Sequence, residues 1–271
     1  MKLISAAIAA IFSAGLAQAG CLEQAAPCEL PSGSYHIERP DGQGTVPAIV
    51  FLHGWGSQGA NTMGNRRLVQ AFLDRGYAFL APDGTPRGSG GGRSWSFHPD
   101  WPPVRDERAF LKSVIADAAV RFDVDPERVI LSGFSAGGFM VSYAACAEPD
   151  LAAAYAPVSG GFWRPHPESC EGPVKLLHSH GWRDKTVPLE GRFLRGGQVA
   201  QGDIFHGMEI WREANGCDGM TADDFSTRGE FWLRSWSRCD ADSALDFALF
   251  PGGHTVPAGW ADMAMDWFEA L

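Results

Sequence analysis

Short apolar runs alternate along the chain with segments of helical periodicity. The apolar runs are short enough for buried strands, and they occupy residues 46–52, 77–81, 128–131, 154–158, 174–177 and 245–250. Apolar residues recur every three or four positions, as on the buried face of a helix, over residues 65–75, 106–122 and 208–214. Residues 33–38 alternate like an edge strand, and Asp125 and Pro126 predict a turn.

This order of elements predicts an α/β fold. Strands and helices that alternate with short connections are typical of a mostly parallel central sheet with helices on both faces. The chain has 271 residues and is 45% hydrophobic, so it can bury a large core and is too apolar to be disordered. No repeat or linker is evident, and residues 20–271 are expected to form a single domain. Residues 85–103, rich in Gly, Ser, Pro and Trp, predict a long functional loop.

The first 19 residues have the pattern of an export signal. Lys2 precedes an apolar stretch, and Ala17-Gln18-Ala19 has the small-x-small form of a cleavage site. A membrane anchor is disfavoured because Ser13 and Gly15 interrupt a run that is shorter than the roughly 20 residues of a span. A lipoprotein anchored through Cys21 is also disfavoured, because Gln18 does not fit the required motif. We therefore expect a secreted protein, periplasmic or extracellular, without stable membrane insertion.

The six cysteines of an exported chain predict three disulfides. Sequence alone leaves the pairing open, and pairs close in sequence order are favoured because they close short or moderate loops. These pairs are Cys21 with Cys28, Cys146 with Cys170, and Cys217 with Cys239. The chain contains no CxxC motif, which would have suggested a metal site. The formal net charge of -10 makes nucleic acid an unfavourable partner.

The candidate nucleophile is Ser135, in the sequence Gly133-Phe134-Ser135-Ala136-Gly137. A G-x-S-x-G motif between a strand and a helix forms a sharp turn that exposes the serine at the carboxyl edge of a sheet. Here the motif follows the apolar run 128–131 and precedes residues 139–145, which predict a helix. A serine in an ordinary glycine-rich turn is the alternative, and the flanking elements disfavour it.

A serine hydroxyl needs a base and a carboxylate that orients the base. In this fold the chain order is Ser, then Asp or Glu, then His. His254 follows the last predicted strand, and Asp184 follows the run 174–177 by a few residues, so both are expected at the edge that carries Ser135. His178 and His180 lack a third metal ligand at suitable spacing, so we expect structural roles for them and neither a metal nor a cofactor.

Backbone N–H groups are expected to stabilise the oxyanion that forms during ester hydrolysis. The predicted donors are Ala136, directly after the nucleophile, and Trp55, in the loop 53–56 after an early strand. His53 is expected to be a structural residue of that loop. Four loop tryptophans near the predicted edge are candidates for a substrate cleft, with ordinary packing as the alternative. They are Trp55, Trp95, Trp101 and Trp182.

Four motifs in this order, LHGWG, GFSAGG, HGWRDKTVP and PGGHTVP, resemble the secreted esterase family of polyhydroxybutyrate depolymerases and feruloyl or acetylxylan esterases. The resemblance extends from about Gly33 to the C-terminus. It implies the α/β-hydrolase fold, hydrolysis of a carboxylic ester, no metal or organic cofactor, and a triad of Ser135, Asp184 and His254. The pairings of Cys146 with Cys170 and of Cys217 with Cys239 also resemble bridges of that family.

Two other functions stay open at this point. A serine peptidase on the same fold would use the same triad, but it usually carries an additional gating segment. A non-catalytic binding protein on a hydrolase scaffold would typically lack one member of the triad. The presence of all three candidate residues favours an esterase that acts on a small or polymeric ester.

Overall fold

The structure is a computed structural model that describes residues 21–22, 26–42, 44–88, 92–98 and 100–271. The predicted signal peptide, residues 1–19, lies outside the described residues. Within them, no helix is long and apolar enough to cross a bilayer. The strands of the main sheet are β1 (Cys28–Leu30), β2 (Gly33–Glu38), β3 (Val46–Leu52), β4 (Ala78–Pro82), β7 (Val124–Phe134), β8 (Ala154–Val158), β10 (Lys175–Gly181), β13 (Asp224–Arg228), β14 (Phe231–Trp236) and β15 (Ala244–Phe250).

These ten strands are arranged in the order β1-β2-β4-β3-β7-β8-β10-β15-β14-β13. The six strands from β4 to β15 are parallel to one another, and the two strands at each edge of the sheet are antiparallel to their neighbours. The predicted α/β-hydrolase fold with a mostly parallel sheet is confirmed. Parallel strands place their carboxyl ends at one edge, where loops from distant parts of the sequence meet.

Helices cover both faces of the sheet and divide the core into two layers. Among the described residues the α-helices are α1 (Gly59–Met63), α2 (Arg66–Asp74), α3 (Glu107–Phe122), α4 (Ala136–Ala147), α5 (Ile204–Ala214) and α6 (Trp260–Glu269). Helices α3, α4 and α5 pack on one face, and α2 and α6 pack on the other. Successive side chains of a strand point to opposite faces of the sheet, and β3 contributes to both layers in this way. Val50 and Leu52 belong to the first layer, and Ile49 and Phe51 belong to the second.

In the described part of the chain, two small sheets lie outside the main one. The loop 85–103 contains a short hairpin of β5 (Thr85–Pro86) and β6 (Arg93–Ser94). A three-stranded antiparallel sheet contains β9 (Trp163–Arg164), β11 (Arg192–Leu194) and β12 (Val199–Gln201) in the order β11-β12-β9. This small sheet brings segments that follow β8 and β10 to the same place, and several of its side chains belong to the site described below.

Asp125 and Pro126 do not form a turn that precedes a strand, as was predicted, because both residues lie within β7. The pairing of β7 with β3 passes from Val124 directly to Val129 while β3 advances only from Val46 to Ala48. The intervening residues therefore form an irregularity within the strand. The residues of this irregularity are mostly polar and largely exposed, as residues of a turn are, but the chain continues in the same direction.

Helix α6 and the β13–β14 hairpin were not predicted from the sequence. All five residues of β13 are exposed, so the strand has no buried face and no period-two pattern. The three disulfides join Cys21 to Cys28, Cys146 to Cys170, and Cys217 to Cys239. The last of these closes the loop that contains the hairpin.

Candidate active site

Ser135 occupies the turn between β7 and α4. Its backbone angles are φ 58° and ψ -115°, a left-handed conformation that is rare and strained for a residue with a side chain. Its backbone N–H donates to the carbonyl oxygen of Val158 on the neighbouring strand at 2.9 Å, which holds the turn against the sheet. The serine is thus presented at the carboxyl edge of the sheet, directly before the N-terminus of a helix.

Glycine at 133 and 137 permits the close contact between this turn and the sheet. A Cβ at Gly137 would lie 2.1 Å from the carbonyl oxygen of Leu52, and a Cβ at Gly133 would lie 2.7 Å from the backbone of Gly137. Both distances are far below van der Waals contact with backbone atoms that cannot rotate away. The G-x-S-x-G pattern therefore has a steric cause in this molecule.

Ser135, His254 and Asp184 form a continuous hydrogen-bonded chain. The Oγ of Ser135 lies 2.9 Å from Nε2 of His254, and Nδ1 of His254 lies 2.7 Å from Oδ2 of Asp184. Asp184 follows β10 and His254 follows β15, which is the parallel neighbour of β10. The two loops therefore leave the sheet side by side, and the structure brings the three predicted residues together.

The carboxylate of Asp184 is buried and held by three donors. Its Oδ1 accepts hydrogen bonds from the backbone N–H groups of Thr186 and Val187, both at 2.8 Å, and its Oδ2 faces His254. Burial alone raises the pKa of Asp184, but the bonds from His254, Val187 and Thr186 outweigh it and lower the pKa below its ordinary value. The carboxylate is therefore ionised and fixed in the orientation that the imidazole needs.

Two buried histidines support the loop that carries Asp184. Nε2 of His180 lies 2.8 Å from the carbonyl oxygen of Val187, and Nδ1 of His180 lies 3.1 Å from Nε2 of His178. Burial lowers the pKa of His180 to about 4 and lowers the pKa of His178 well below its ordinary value. Both rings are neutral at pH 7, in agreement with the structural roles expected for them.

The loop after β3 passes directly beside Ser135. A Cβ at Gly54 would lie 3.5 Å from Cβ of Ser135. In the described part of the chain, the backbone N–H groups of Trp55 and Ala136 have no hydrogen-bond acceptor from the protein. The structure thus places both predicted oxyanion donors next to the serine with their N–H groups uncommitted.

His53 and Trp95 pack together behind this loop. Trp95 is buried, and its indole N–H donates to the carbonyl oxygen of His53 at 2.9 Å. The Nε2 of His53 accepts from the N–H of Gly84 at 3.0 Å, and burial lowers the pKa of the ring. His53 therefore has the structural role that was expected. Trp95, a candidate for the substrate cleft, instead supports the loop 53–56 from behind.

A cavity of about 410 Å³ opens beside Ser135 and Ala136. Most of its lining is apolar, and five aromatic side chains form its walls: Trp55, Phe97, Trp101, Phe139 and Trp163. Of the four tryptophans predicted for substrate binding, Trp55 and Trp101 line this cavity. Trp182 is 56% exposed and lies outside the lining.

The match to known protein families agrees with this geometry. The model of the alpha/beta hydrolase family matches residues 49–268. The chain belongs to the alpha/beta hydrolase family. The matched segment includes Ser135, Asp184 and His254.

Curated relatives of the hydrolase carry the names of esterases and depolymerases. It is 32% identical over 182 residues to feruloyl esterase B of Piromyces equi, which covers 60% of this chain and 30% of that protein. It is 24% identical over 189 residues to poly(3-hydroxyalkanoate) depolymerase C of Paucimonas lemoignei, which covers 67% of this chain and 44% of that protein. The resemblance expected from the four motifs is confirmed. The chain spans less than half of the length of these relatives.

Solved structures show the same fold. The acetyl xylan esterase from Aspergillus awamori superposes with a TM-score of 0.63 at 16% identity, over 88% of the hydrolase and 94% of that chain. Esterase PE8 superposes with a TM-score of 0.57 at 19% identity, over 88% of the hydrolase and 98% of that chain. At these identities the likeness establishes the architecture.

Several residues of the cavity were not predicted from the sequence, among them Trp163, Arg192, Arg195 and Gln201. All four lie in or next to the small sheet of β9, β11 and β12. These strands are only two or three residues long, which is too short for a periodic signal. A usable signal was the pair of arginines that flanks Phe193 and Leu194, shortly after the acid loop.

Proposed function

We propose that this hydrolase cleaves carboxylic esters through Ser135, His254 and Asp184. The observation that carries the proposal is the 2.9 Å distance between Oγ of Ser135 and Nε2 of His254, with Asp184 on the opposite side of the ring. Proton transfer between a nucleophile and its base requires this distance. The names of the curated relatives, feruloyl esterase B and poly(3-hydroxyalkanoate) depolymerase C, support the same reaction class.

In the first step, Oγ of Ser135 attacks the ester carbonyl carbon and its proton passes to Nε2 of His254. The ionised carboxylate of Asp184 stabilises the imidazolium that forms. The negative charge on the former carbonyl oxygen is stabilised by the N–H groups of Ala136 and Trp55. Collapse of this intermediate breaks the bond to the alcohol, which leaves with the proton held by His254.

In the second step, water attacks the acyl group on Ser135 while Nε2 of His254 removes its proton. The same N–H groups stabilise the second oxyanion. Collapse of the intermediate releases the carboxylic acid and returns the proton to Ser135, so the site is regenerated without a cofactor.

The aromatic cavity supports an apolar or aromatic portion in the substrate, as in feruloyl or hydroxyalkanoate esters. Flat indole and phenyl surfaces favour such groups because they bury apolar area and stack. We also propose that the chain is exported, with residues 1–19 as its signal and 20–271 as one catalytic domain. The three disulfides support an oxidising compartment.

The test is a substrate panel with purified wild type and a Ser135→Ala variant. The panel contains short-chain nitrophenyl esters, methyl ferulate, hydroxybutyrate oligomers, acetylated xylan and peptides. We expect ester turnover that falls by about 10³-fold or more in the variant, while far-UV circular dichroism is unchanged. Ser113→Ala, on the exposed face of α3, is the matched control and keeps full activity.

Each other outcome has a definite meaning. Full ester turnover by Ser135→Ala contradicts the assigned nucleophile. Cleavage of peptides in preference to esters supports the peptidase alternative. Binding of an ester without turnover of any member of the panel supports a binding protein on a hydrolase scaffold.

A further inference from the structure

The charge of the cavity differs in sign from the charge of the chain. The protein has a formal net charge of -10, yet the charged side chains among the described lining residues are two arginines, Arg192 and Arg195. The acidic composition of the chain would by itself favour negative charge at the cavity. The positive charge at the cavity therefore indicates a ligand that carries negative charge.

Neither guanidinium has an ion-pair partner among the residues that the structure describes. Within the described residues, no carboxylate oxygen lies within 4.0 Å of Arg192 or Arg195. By contrast, several surface arginines have such a partner, as Arg66 does in Glu38. The two cavity arginines thus keep their charge available to a ligand.

Arg192 is held in place although it has no ion pair. Its Nε donates to Oε1 of Gln201 at 3.1 Å, and its Nη1 donates to the carbonyl oxygen of Lys185 at 3.3 Å. Gln201 is 95% buried, so it provides a rigid anchor. The remaining donors of the guanidinium are left for another acceptor, and a fixed orientation reduces the entropy lost when that acceptor binds.

Arg195 belongs to the aromatic wall. Its guanidinium carbon lies 5.6 Å from the ring centroid of Trp101, which is within the range of a cation–π contact. Trp101 in turn stacks on His98, meets Trp163 edge-to-face and lines the cavity with Ser135. A ligand that lies on this wall therefore meets an apolar surface and a cationic group together.

Guanidinium groups recognise carboxylates through two parallel hydrogen bonds, and an apolar surround strengthens the attraction because it lowers the local dielectric constant. We propose that the part of the substrate that fills the cavity is an apolar or aromatic segment bearing a carboxylate, which Arg192 and Arg195 bind. This inference rests on the proposed ester hydrolysis at Ser135. It makes the two arginines specificity residues for anionic esters.

The test compares matched esters that differ in one charge. On the acyl side, the pair is the mono-nitrophenyl ester of hexanedioic acid and nitrophenyl hexanoate. On the alcohol side, the pair is 4-acetoxybenzoate and its methyl ester. Both pairs are assayed with wild type, with the Arg192→Gln/Arg195→Gln variant, and with Arg67→Gln, an exposed arginine of α2 outside the cavity.

We expect wild type to prefer the anionic member of at least one pair in kcat/KM by about tenfold, mainly through KM. The preference disappears in the double variant, persists in Arg67→Gln, and is partly restored by Lys at both positions. High salt reduces it, because the arginines are partly open to solvent. No charge preference in either pair, or a preference that the double variant retains, overturns the inference while ester turnover still supports the proposed function.

A second measurement does not depend on turnover. Binding of monomethyl hexanedioate and methyl hexanoate to the Ser135→Ala variant is followed by tryptophan fluorescence, with and without the two Arg→Gln changes. Tighter binding of the anionic ester that is lost without the arginines supports the inference. Equal binding of both esters, together with equal kcat/KM for 4-acetoxybenzoate and its methyl ester, overturns it.

Discussion

His180 donates its Nε2–H to the carbonyl oxygen of Val187 at 2.8 Å, and this bond ties strand β10 to the loop that carries Asp184. A carbonyl oxygen can only accept, so the proton of the neutral ring resides on Nε2. Nδ1 of His180 is then an acceptor, and His178 must donate to it through its own Nε2. Two neutral histidines inside the strand thus support the acid of the site.

The first prediction concerns stability at acid pH. The pKa of His180 is lowered from 6.5 to about 4 by burial, so protonation favours the unfolded chain. The contribution of neutral His180 to the free energy of unfolding is fully present above pH 6.5 and is lost as pH falls from 6.5 towards 4. The loss amounts to about 3 kcal/mol in the free energy of unfolding. Urea denaturation at several pH values measures it.

A His180→Gln variant separates this effect from general acid denaturation. We expect the variant to be less stable at pH 7 but to show a shallower decline between pH 6.5 and 4. His206→Gln changes an exposed histidine and should retain the wild-type slope. A slope that is identical in wild type and His180→Gln would refute the assignment.

The second prediction is that Asp184→Asn leaves a folded protein with little activity. The amide oxygen can still accept from Thr186 and Val187, but its NH₂ group would face Nδ1 of His254 and favour the wrong tautomer. We expect kcat for a nitrophenyl ester to fall by about 10³ to 10⁴, with a small change in KM. Asp41→Asn, in an exposed turn, is the control. Retention of more than a tenth of wild-type kcat would argue against a role for Asp184.

The third prediction compares two glycines in different surroundings. Gly137→Ala places a methyl group 2.1 Å from the carbonyl oxygen of Leu52, so the turn must move away from the sheet. We expect a loss of roughly 3 kcal/mol or more in stability, together with loss of activity. Gly207→Ala, in helix α5, meets Phe162 at an ordinary 3.6 Å and should be neutral or stabilising by up to about 1 kcal/mol. Melting curves and ester assays on both variants decide this.

The fourth prediction distinguishes the cavity wall from other exposed tryptophans. Trp101→Ala removes an indole from the lining, and KM for an ester with an aromatic acyl group should rise by about tenfold. Trp182→Ala removes an exposed indole outside the lining and should leave KM within twofold of wild type. The measurement is steady-state kinetics with methyl ferulate. Equal effects of the two substitutions would show that this cavity does not bind the aromatic group.

Much of the fold followed from local pattern. Buried strands such as β3 and β8 have continuous apolar runs, and helix α3 has an apolar face, because each element must bury one surface in the core. The serine turn was also predictable, because the G-x-S-x-G motif lies between an apolar run and a predicted helix, although the contact that excludes a side chain at Gly137 is with the distant Leu52. The exposed strand β13 lacked any such pattern.

The sequence by itself determined the order of the elements, the serine turn, and the residue types from which an acid and a base could be chosen. Only the tertiary structure decided which loop residues face the substrate. It turned Trp95 inward behind the loop 53–56 and brought Arg192 and Arg195 to the cavity wall beside Ser135. Periodicity reports how one segment meets the core, whereas the lining of a cavity depends on how distant segments pack against one another.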